Sequence, residues 1–277
     1  MYYVKLTING NQLYCTRGNG IDILTISGLT GTSARLNTVQ SNLYLGEDYT
    51  NGTVGGITLD VKGVILDGNT VRKQALLDTV VPLGEGSLAI YKLDTQLSRW
   101  VAYRTIDVVV KSTPVISQEK HSKFSFSLYA PKPIWKAASA EAIALTGGTA
   151  SEVTIEGQTN ADYSVNISVV TGYLKDLTIS FGSMPNPSVN ADKYLYCDFR
   201  KYNADGVASG TAIEISRVKG KLILTIGGVK HNECIYAQST LDSLTVGTHG
   251  FYISSDATIT ARITYYPSYV GVLVDGV

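Results

Sequence analysis

The chain has 277 residues with 23 basic and 23 acidic side chains, and 44% of its residues are hydrophobic. Disordered chains combine low hydrophobicity with high net charge, and sequence-independent nucleic-acid binders carry a basic excess, so the composition excludes both classes. At roughly 100–200 residues per domain, the length predicts two domains, each large enough to bury its own core.

Strands with one buried and one exposed face dominate the chain, because apolar and polar residues alternate with a period of two. The clearest case is Lys123–Tyr129, where Phe124, Phe126 and Leu128 point to one side. The same alternation predicts further strands at Ile57–Val61, Ile106–Val110, Val165–Val169, Leu222–Ile226 and Ile259–Ile263. Turn residues such as Asn9-Gly10 separate these runs.

One segment breaks the alternation and predicts a helix. Asn69–Val81 has helix formers in its middle, Asn69 or Thr70 to cap its start, and Pro82 to end it. The helix would pack over one open sheet through one stripe, formed by Ala75, Leu76, Thr79 and Val80.

Two glycine-rich segments flank this helix. Gly46–Gly56 predicts either a β-hairpin arm that extends a neighbouring subunit's sheet or a surface loop. Gly84–Ala89 has the first two glycines of a G-x-G-x-x-G motif, but that motif must follow a strand and open a helix. Here Pro82 precedes the glycines and the predicted strand Leu88–Leu93 follows, so we expect a turn and no dinucleotide site.

The predicted domain boundary lies at Ala130–Lys136. Two prolines end a strand there, and the following residues are small and polar. We therefore place the first domain at residues 1–135 and the second at 136–277, leaving open whether the last residues pack back on the first domain. Short strands predict a β-sandwich or jelly roll of about eight strands in the second half, with a β-rich tail at Val270–Val277.

The sequence contains no pattern typical of a catalytic centre. His121, His231 and His249 are scattered, and there is no G-x-S-x-G elbow. Several carboxylates are eligible by type for acid–base chemistry, but nothing pairs them: Glu47, Asp48, Glu152, Glu156, Asp192 and Asp198. We predict no catalytic residue, no cofactor site and no metal site, and hence no enzyme.

Cysteines and the first residues indicate the cellular setting. Cys15, Cys197 and Cys234 are far apart and lack metal-binding spacing, so we predict reduced, mostly buried thiols, with a Cys197–Cys234 disulfide as the alternative. The first ten residues lack the pattern of a secretory signal, and no run approaches the ~18 apolar residues of a membrane helix. We expect a soluble protein that stays in the cytoplasm during assembly.

Tyrosine is unusually frequent, with 18 tyrosines against five phenylalanines and two tryptophans. Tyrosine is favoured in strands generally, and its flat amphipathic ring also suits protein interfaces and sugar stacking. The composition therefore leaves a structural role, a subunit interface and a glycan site as alternatives.

The order of elements resembles that of the distal tail proteins of siphophages, the long-tailed phages with non-contractile tails. The resemblance rests on a strand, a helix and three further strands, followed by two prolines: Gly55–Gly63, Thr70–Asp78, Gly86–Tyr91, Trp100–Val108, Lys123–Ala130 and Pro131-Lys-Pro133. In the second half, Val153–Gly157, Lys221–Leu224 and Ala257–Tyr269 resemble the family's galectin-like sandwich.

This resemblance implies a mainly β protein: a sandwich-like N-terminal domain with one α-helix, joined to a C-terminal galectin-like or jelly-roll β-sandwich. It implies a structural hub at the virion tail tip, where the N-terminal domains form a hexameric ring. One face of the ring would meet the tail-tube protein and the other the tail-associated lysin or adhesin, and the outer domains would support receptor-binding proteins. The alternative is a carbohydrate-binding adhesin module that recognises host cell-wall glycans.

Overall fold

The computed structural model of the chain describes residues 2–30, 34–40, 47–183, 191–218, 221–241 and 243–272. The chain forms two compact units: unit 1 contains residues 1–139 and 269–277, and unit 2 contains residues 140–268. Both units are built mainly from antiparallel strands, so the prediction of a mainly β protein is confirmed.

Unit 1 contains one α-helix and eleven strands among its described residues. The elements are β1 (Tyr2–Ile8), β2 (Asn11–Cys15), β3 (Ile21–Ser27), β4 (Ala34–Gln40), β5 (Glu47–Val54), β6 (Ile57–Ile65), α1 (Thr70–Thr79), β7 (Glu85–Asp94), β8 (Arg99–Val110), β9 (Val115–Ile116), β10 (Ser122–Ala130) and β11 (Trp135–Ala137). Two short 3-10 helices lie at Arg17–Asn19 and Leu66–Gly68.

The main sheet of unit 1 has the strand order β2-β1-β7-β8-β10-β6-β3, with β9 on β10 and β11 on β8. Its alternation matches the sequence pattern: Phe126 and Leu128 are buried on β10, opposite the buried Val61 and Leu59 of β6. The end strands β2 and β3 contact each other, so the sheet curls around a single core.

The β1–β2 hairpin shows why the first residues take this path. Asn9 and Gly10 both have positive φ, 50° and 84°, in the two-residue connection. A two-residue turn with both central residues at positive φ matches the right-handed twist of paired strands. The Asn-Gly pair therefore sets the register in which Leu6 lies opposite Leu13 inside the core.

Helix α1 confirms the prediction made from the sequence. The Asn69 side chain accepts hydrogen bonds from the backbone N–H groups of Val71 and Arg72, at 2.9 and 3.3 Å, and so caps the helix. Leu76, Thr79 and Val80 are buried, and Ala75 packs against the same core. The helix contacts β1 and β2, so it covers one end of the sheet.

Unit 2 contains twelve strands among its described residues. They are β12 (Glu141–Thr146), β13 (Ala150–Ile155), β14 (Tyr163–Thr171), β15 (Tyr173–Leu174), β16 (Asp176–Gly182), β17 (Ala191–Asp198), β18 (Val207–Ala208), β19 (Ala212–Val218), β20 (Lys221–Ile226), β21 (Val229–Lys230), β22 (Gly247–Ser255) and β23 (Thr258–Tyr265). Short 3-10 helices lie at Phe199–Lys201 and Asn232–Cys234, and β24 is Ser268–Tyr269.

Two sheets enclose the core of unit 2. The six-stranded sheet has the order β12-β23-β14-β19-β20-β21, and the four-stranded sheet has the order β13-β22-β16-β17. Phe181 and Phe251 from the smaller sheet share one core with Val165 and Ile215 from the larger sheet. Inward-facing residues from two antiparallel sheets are the basis of a β-sandwich.

The strands of unit 2 outnumber the eight or so that the sequence predicted. Three of the additional strands have only two residues, β15, β18 and β21, and so short a pairing leaves no alternation to read. The predicted β-rich tail at Val270–Val277 is wrong for the residues described, because no strand continues through Val270–Val272. Instead the Val272 N–H donates to the Leu29 carbonyl, 3.0 Å away within unit 1.

Candidate assembly surfaces

The β4–β5 hairpin is the first surface that could contact another chain. Residues Ala34–Gln40 pair with Glu47–Val54, and among the described residues this two-stranded sheet is not joined to the main sheet. Strand β5 covers residues 47–54 of the predicted segment Gly46–Gly56, and its partner β4 precedes that segment, so the segment supplies one strand of the hairpin. Gly46 lies outside the described residues. An isolated two-stranded hairpin is marginally stable in water, so it needs a surface to pack on.

A second surface lies at the tip of the long β7–β8 hairpin. Leu93 lies opposite Trp100 in the strand pairing, and Leu97 in the connecting loop is 56% exposed. Behind them Tyr3 stacks on Tyr91, with ring centroids 4.5 Å apart, and meets Trp100 edge-on at 4.8 Å. We call these five residues the tip patch, an apolar surface of the type enriched in protein interfaces.

The opposite end of β7 carries a third surface, at the turn that follows α1. Its four residues are Val81-Pro82-Leu83-Gly84, and the Gly84 N–H donates to the Val81 carbonyl at 3.0 Å. Leu83 has φ of +61° and is 82% exposed. The left-handed conformation costs an L-residue about 1–2 kcal/mol, and glycine would avoid that cost.

Backbone hydrogen bonds hold this strained turn in place. The Leu83 N–H donates to the Val110 carbonyl at 3.0 Å, and the Val110 N–H donates to the Gly84 carbonyl at 2.9 Å. Val81 in this turn and Leu77 near the end of α1 are also exposed apolar residues. We call Leu77, Val81 and Leu83 the turn patch.

A polar cluster lies on unit 2, where β16 begins and β17 ends. The Asp176 carboxylate accepts a hydrogen bond from the Tyr196 hydroxyl at 2.6 Å and one from the Arg200 guanidinium at 2.8 Å. Arg200 also donates to Asp198 at 2.8 Å, and the ring of Tyr236 meets Tyr196 edge-on. The hydrogen bond from Arg200 lowers the pKa of Asp198, and the bond to Asp176 raises the pKa of Tyr196.

The three histidines lie in separate surroundings. His121 accepts from the Asp67 N–H at 3.4 Å, His231 lies 2.8 Å from Glu233, and the His249 ring packs on Phe181. Of the eligible carboxylates, Glu152 and Glu156 are exposed and Asp198 pairs with Arg200. The side chains of Glu47, Asp48 and Asp192 lie outside what the structure describes. Within the described residues no group of three or more His, Cys, Asp or Glu side chains could hold a metal ion.

The three cysteines are free and buried, which confirms the prediction of reduced thiols. Burial raises the pKa of Cys15 and of Cys197 to about 12, and it also raises the pKa of Cys234. A raised pKa keeps each thiol protonated in the folded protein. The stability that this protonation provides is complete below the ordinary thiol pKa of about 8.5 and is lost as the pH rises towards about 12.

We expect these thiols to resist a thiol reagent in the native protein. At about pH 8 the folded chain should react with Ellman's reagent only as fast as it unfolds, because the thiolate is the nucleophile. In guanidinium all three thiols should react at once. Rapid labelling of one thiol in the native protein, located by peptide mass spectrometry, would contradict the burial of that cysteine.

Comparisons with known proteins identify the fold of the chain. Neither the models of protein families nor the curated protein sequences give a match. The crystal structure of the SPP1 Dit protein is similar over 97% of this chain and 99% of that chain, with a TM-score of 0.70 and 9% identity. The chain has the Dit fold. SPP1 Dit is described as a paradigm of the hub adsorption apparatus in phages that infect Gram-positive bacteria.

Two chains of the phage P2 baseplate share this Dit fold less closely. In the activated conformations with calcium and with strontium they match 98% of this chain and 100% of their own length, with TM-scores of 0.54 and 0.52. Their identities are 11% and 10%, so the likeness lies in the fold. Within the described residues no helix has the length and apolar character that crossing a membrane requires.

The Dit fold confirms the element order from which the resemblance was drawn. The strand, helix and three strands predicted between residues 55 and 130 correspond to β6, α1, β7, β8 and β10. The sequence analysis missed the turn patch, the tip patch and the polar cluster. One signal in the sequence could have indicated the turn patch: Leu83 follows Pro82 at a turn position where glycine is favoured.

Proposed function

We propose that the protein is the structural hub of a siphophage tail tip, a component of the virion that is assembled in the host cytoplasm. The observation that carries this proposal is the Dit fold, which extends over 97% of the chain. In this role unit 1 forms a hexameric ring and unit 2 lies outside it. The hub has no enzymatic activity and needs no metal or cofactor.

The hub joins several partners in this proposal. One face of the ring binds the tail-tube protein, and the other binds the tail-associated lysin or adhesin. The outer domain supports the receptor-binding apparatus for host attachment. The exposed apolar surfaces of unit 1 support an assembly role, because large apolar patches on a single chain are typical of protein interfaces.

The β4–β5 hairpin is proposed as the arm that one subunit extends to the next. A heterologous contact of this kind closes into a ring when the rotation between neighbours is right. The hairpin can be removed cleanly, because Ala34 and Val54 are paired and their Cα atoms therefore lie within ~5.5 Å. A two-residue Gly-Ser linker can replace residues 34–54.

Negative-stain electron microscopy of the purified protein tests the proposal. We expect rings with six-fold symmetry, a central channel and peripheral lobes, and co-purification with the tail-tube and adhesin proteins of the same virion. The variant without the hairpin should keep its tryptophan fluorescence and lose the rings. A monomer that ignores both partner proteins would overturn the hub proposal.

Glycan recognition by unit 2 is a second candidate function, favoured by the polar cluster. Fixed carboxylates and a guanidinium beside an exposed tyrosine ring are groups that hydrogen-bond and stack on sugars. Binding to purified cell-wall polysaccharide should then weaken in Tyr236→Ala and in Asp176→Asn, but not in the control Tyr173→Ala. Absence of binding by the unaltered protein would remove this function.

A further inference from the structure

Each end of strand β7 carries an exposed apolar surface. The turn patch lies just before Glu85, where β7 begins, and the tip patch surrounds Leu93, where it ends. Ten strand residues at about 3.3 Å each separate the two by roughly 30 Å. A single unit 1 therefore presents two different apolar patches at opposite ends of one rigid, twice-paired strand.

The charges beside the two patches are complementary. Asp78 and Glu85 are exposed next to the turn patch, and Arg99 is exposed at the tip. Lys92 is half-buried near the tip, with its ammonium 3.9 Å from the centroid of the Tyr103 ring. Lys111 carries the opposite charge at the turn end, where it donates to the Thr58 hydroxyl at 3.3 Å, and Asp94 carries it at the tip, opposite Arg99 in the strand pairing. Among these side chains Asp78 and Glu85 outnumber Lys111 at one end, and Arg99 and Lys92 outnumber Asp94 at the other. The excess charge is therefore negative at the turn end of β7 and positive at the tip.

Leu83 is placed as an interface residue would be. Its backbone is held in the left-handed region, which costs conformational free energy. Its side chain is largely exposed, so burial within its own chain does not offset that cost. Strained backbone of this kind persists at functional sites, where the cost of the strain is offset by what the side chain does there. Burial of a leucine against an aromatic patch on another chain would provide that compensation.

We propose that the turn patch of one copy of this chain binds the tip patch of the next copy. This inference rests on the ring proposed above and specifies its contact: Leu83 packs against Leu97 and Trp100, with Glu85 beside Arg99. Two different patches on one chain make a heterologous contact, which passes from copy to copy until the ring closes. A second copy is the occupant that the charges favour, because each end of β7 complements the other end.

Pairs of engineered cysteines test this contact, and the native thiols do not interfere because all three are buried. The double variant Leu83→Cys/Leu97→Cys should give a ladder of disulfide-linked multimers under mild oxidation. Each single variant should give no linked dimer. The control pair Leu83→Cys/Val115→Cys, which uses a residue of β9 that is more exposed than Leu97, should also give none.

The outcomes separate this contact from the hub proposal. A closed oligomer in native mass spectrometry without the disulfide ladder would overturn the contact and leave the ring. Linked dimers of Leu83→Cys alone would show a symmetric contact and would also overturn it. A chain that is monomeric and gives no ladder would overturn both.

Leu83→Gly separates assembly from folding. Glycine accepts the positive φ, so the variant should melt no lower than the unaltered protein. Loss of the leucine side chain should weaken self-association by about tenfold or more, measured by analytical ultracentrifugation. Glu85→Lys and Arg99→Glu should each weaken association, and their combination should restore it. Unchanged association in Leu83→Gly, or no restoration in the charge swap, would count against the contact.

Discussion

The substitution Gly86→Ala is expected to lower the free energy of unfolding of unit 1 by about 3 kcal/mol or more and to abolish ring assembly. Gly86 lies on β7 opposite Ile8, and a Cβ there would overlap the carbonyl oxygen of Thr7 on β1. The clash is with backbone, so no rotamer change relieves it. Strand β1 must therefore move away from β7, and the pairing that joins the N-terminal strand to the rest of the sheet is weakened.

Tryptophan fluorescence during guanidinium unfolding measures this effect selectively. Both tryptophans, Trp100 and Trp135, belong to unit 1. The control is Gly18→Ala in the same unit, where the nearest atom to an added Cβ is the Thr16 hydroxyl oxygen at 3.9 Å. Gly18→Ala should change the midpoint little. Equal stability of the two variants would contradict the close approach of β1 and β7.

The substitution Phe251→Ala is expected to lower the free energy of unfolding of unit 2 by about 3–5 kcal/mol. Phe251 is fully buried, and its ring centroid lies 4.9 Å from that of Phe181. Removal of the ring leaves a cavity between the two sheets, because strands fixed by backbone hydrogen bonds cannot move together to fill it.

Circular dichroism should show this loss while the tryptophan fluorescence midpoint stays unchanged, since unit 2 contains no tryptophan. The matched control is Tyr173→Ala, which removes an exposed aromatic ring from β15 of the same unit and should shift the transition little. A parallel shift of the fluorescence midpoint in Phe251→Ala would mean that the two units unfold together.

These two variants also test which unit forms the ring. If the ring is formed by unit 1, Gly86→Ala should lose rings, and Phe251→Ala should keep rings whose peripheral lobes are less distinct. The same pair distinguishes the hub from the glycan-binding alternative, because glycan binding would be lost in Phe251→Ala and kept in Gly86→Ala.

Much of the fold could be read from the sequence because it depends on local patterns. Alternation in Lys123–Tyr129 is enough to place Phe124 and Phe126 in a core, since side chains on a strand point to opposite faces in turn. Asn69 and Pro82 fix the ends of α1 within two residues because a cap and a proline act on the neighbouring backbone. Asn9-Gly10 likewise specifies its own hairpin.

The assembly surfaces could not be read in the same way, because they join residues far apart in the chain. The β1–β7–β8 pairing alone brings Tyr3, Tyr91 and Trp100 into one surface. Asp176 likewise meets Arg200 only because the start of β16 pairs with the end of β17. The short strands of unit 2 were underestimated for the same reason.

Local periodicity, capping and residue type were enough to predict the mainly β class, the helix α1 and the buried, reduced cysteines. The folded structure was needed to show that Leu83 is exposed in a strained turn and that two apolar patches lie at opposite ends of β7. Exposure and distance depend on which strands pair, and that pairing is settled by packing of the whole core rather than by any short segment.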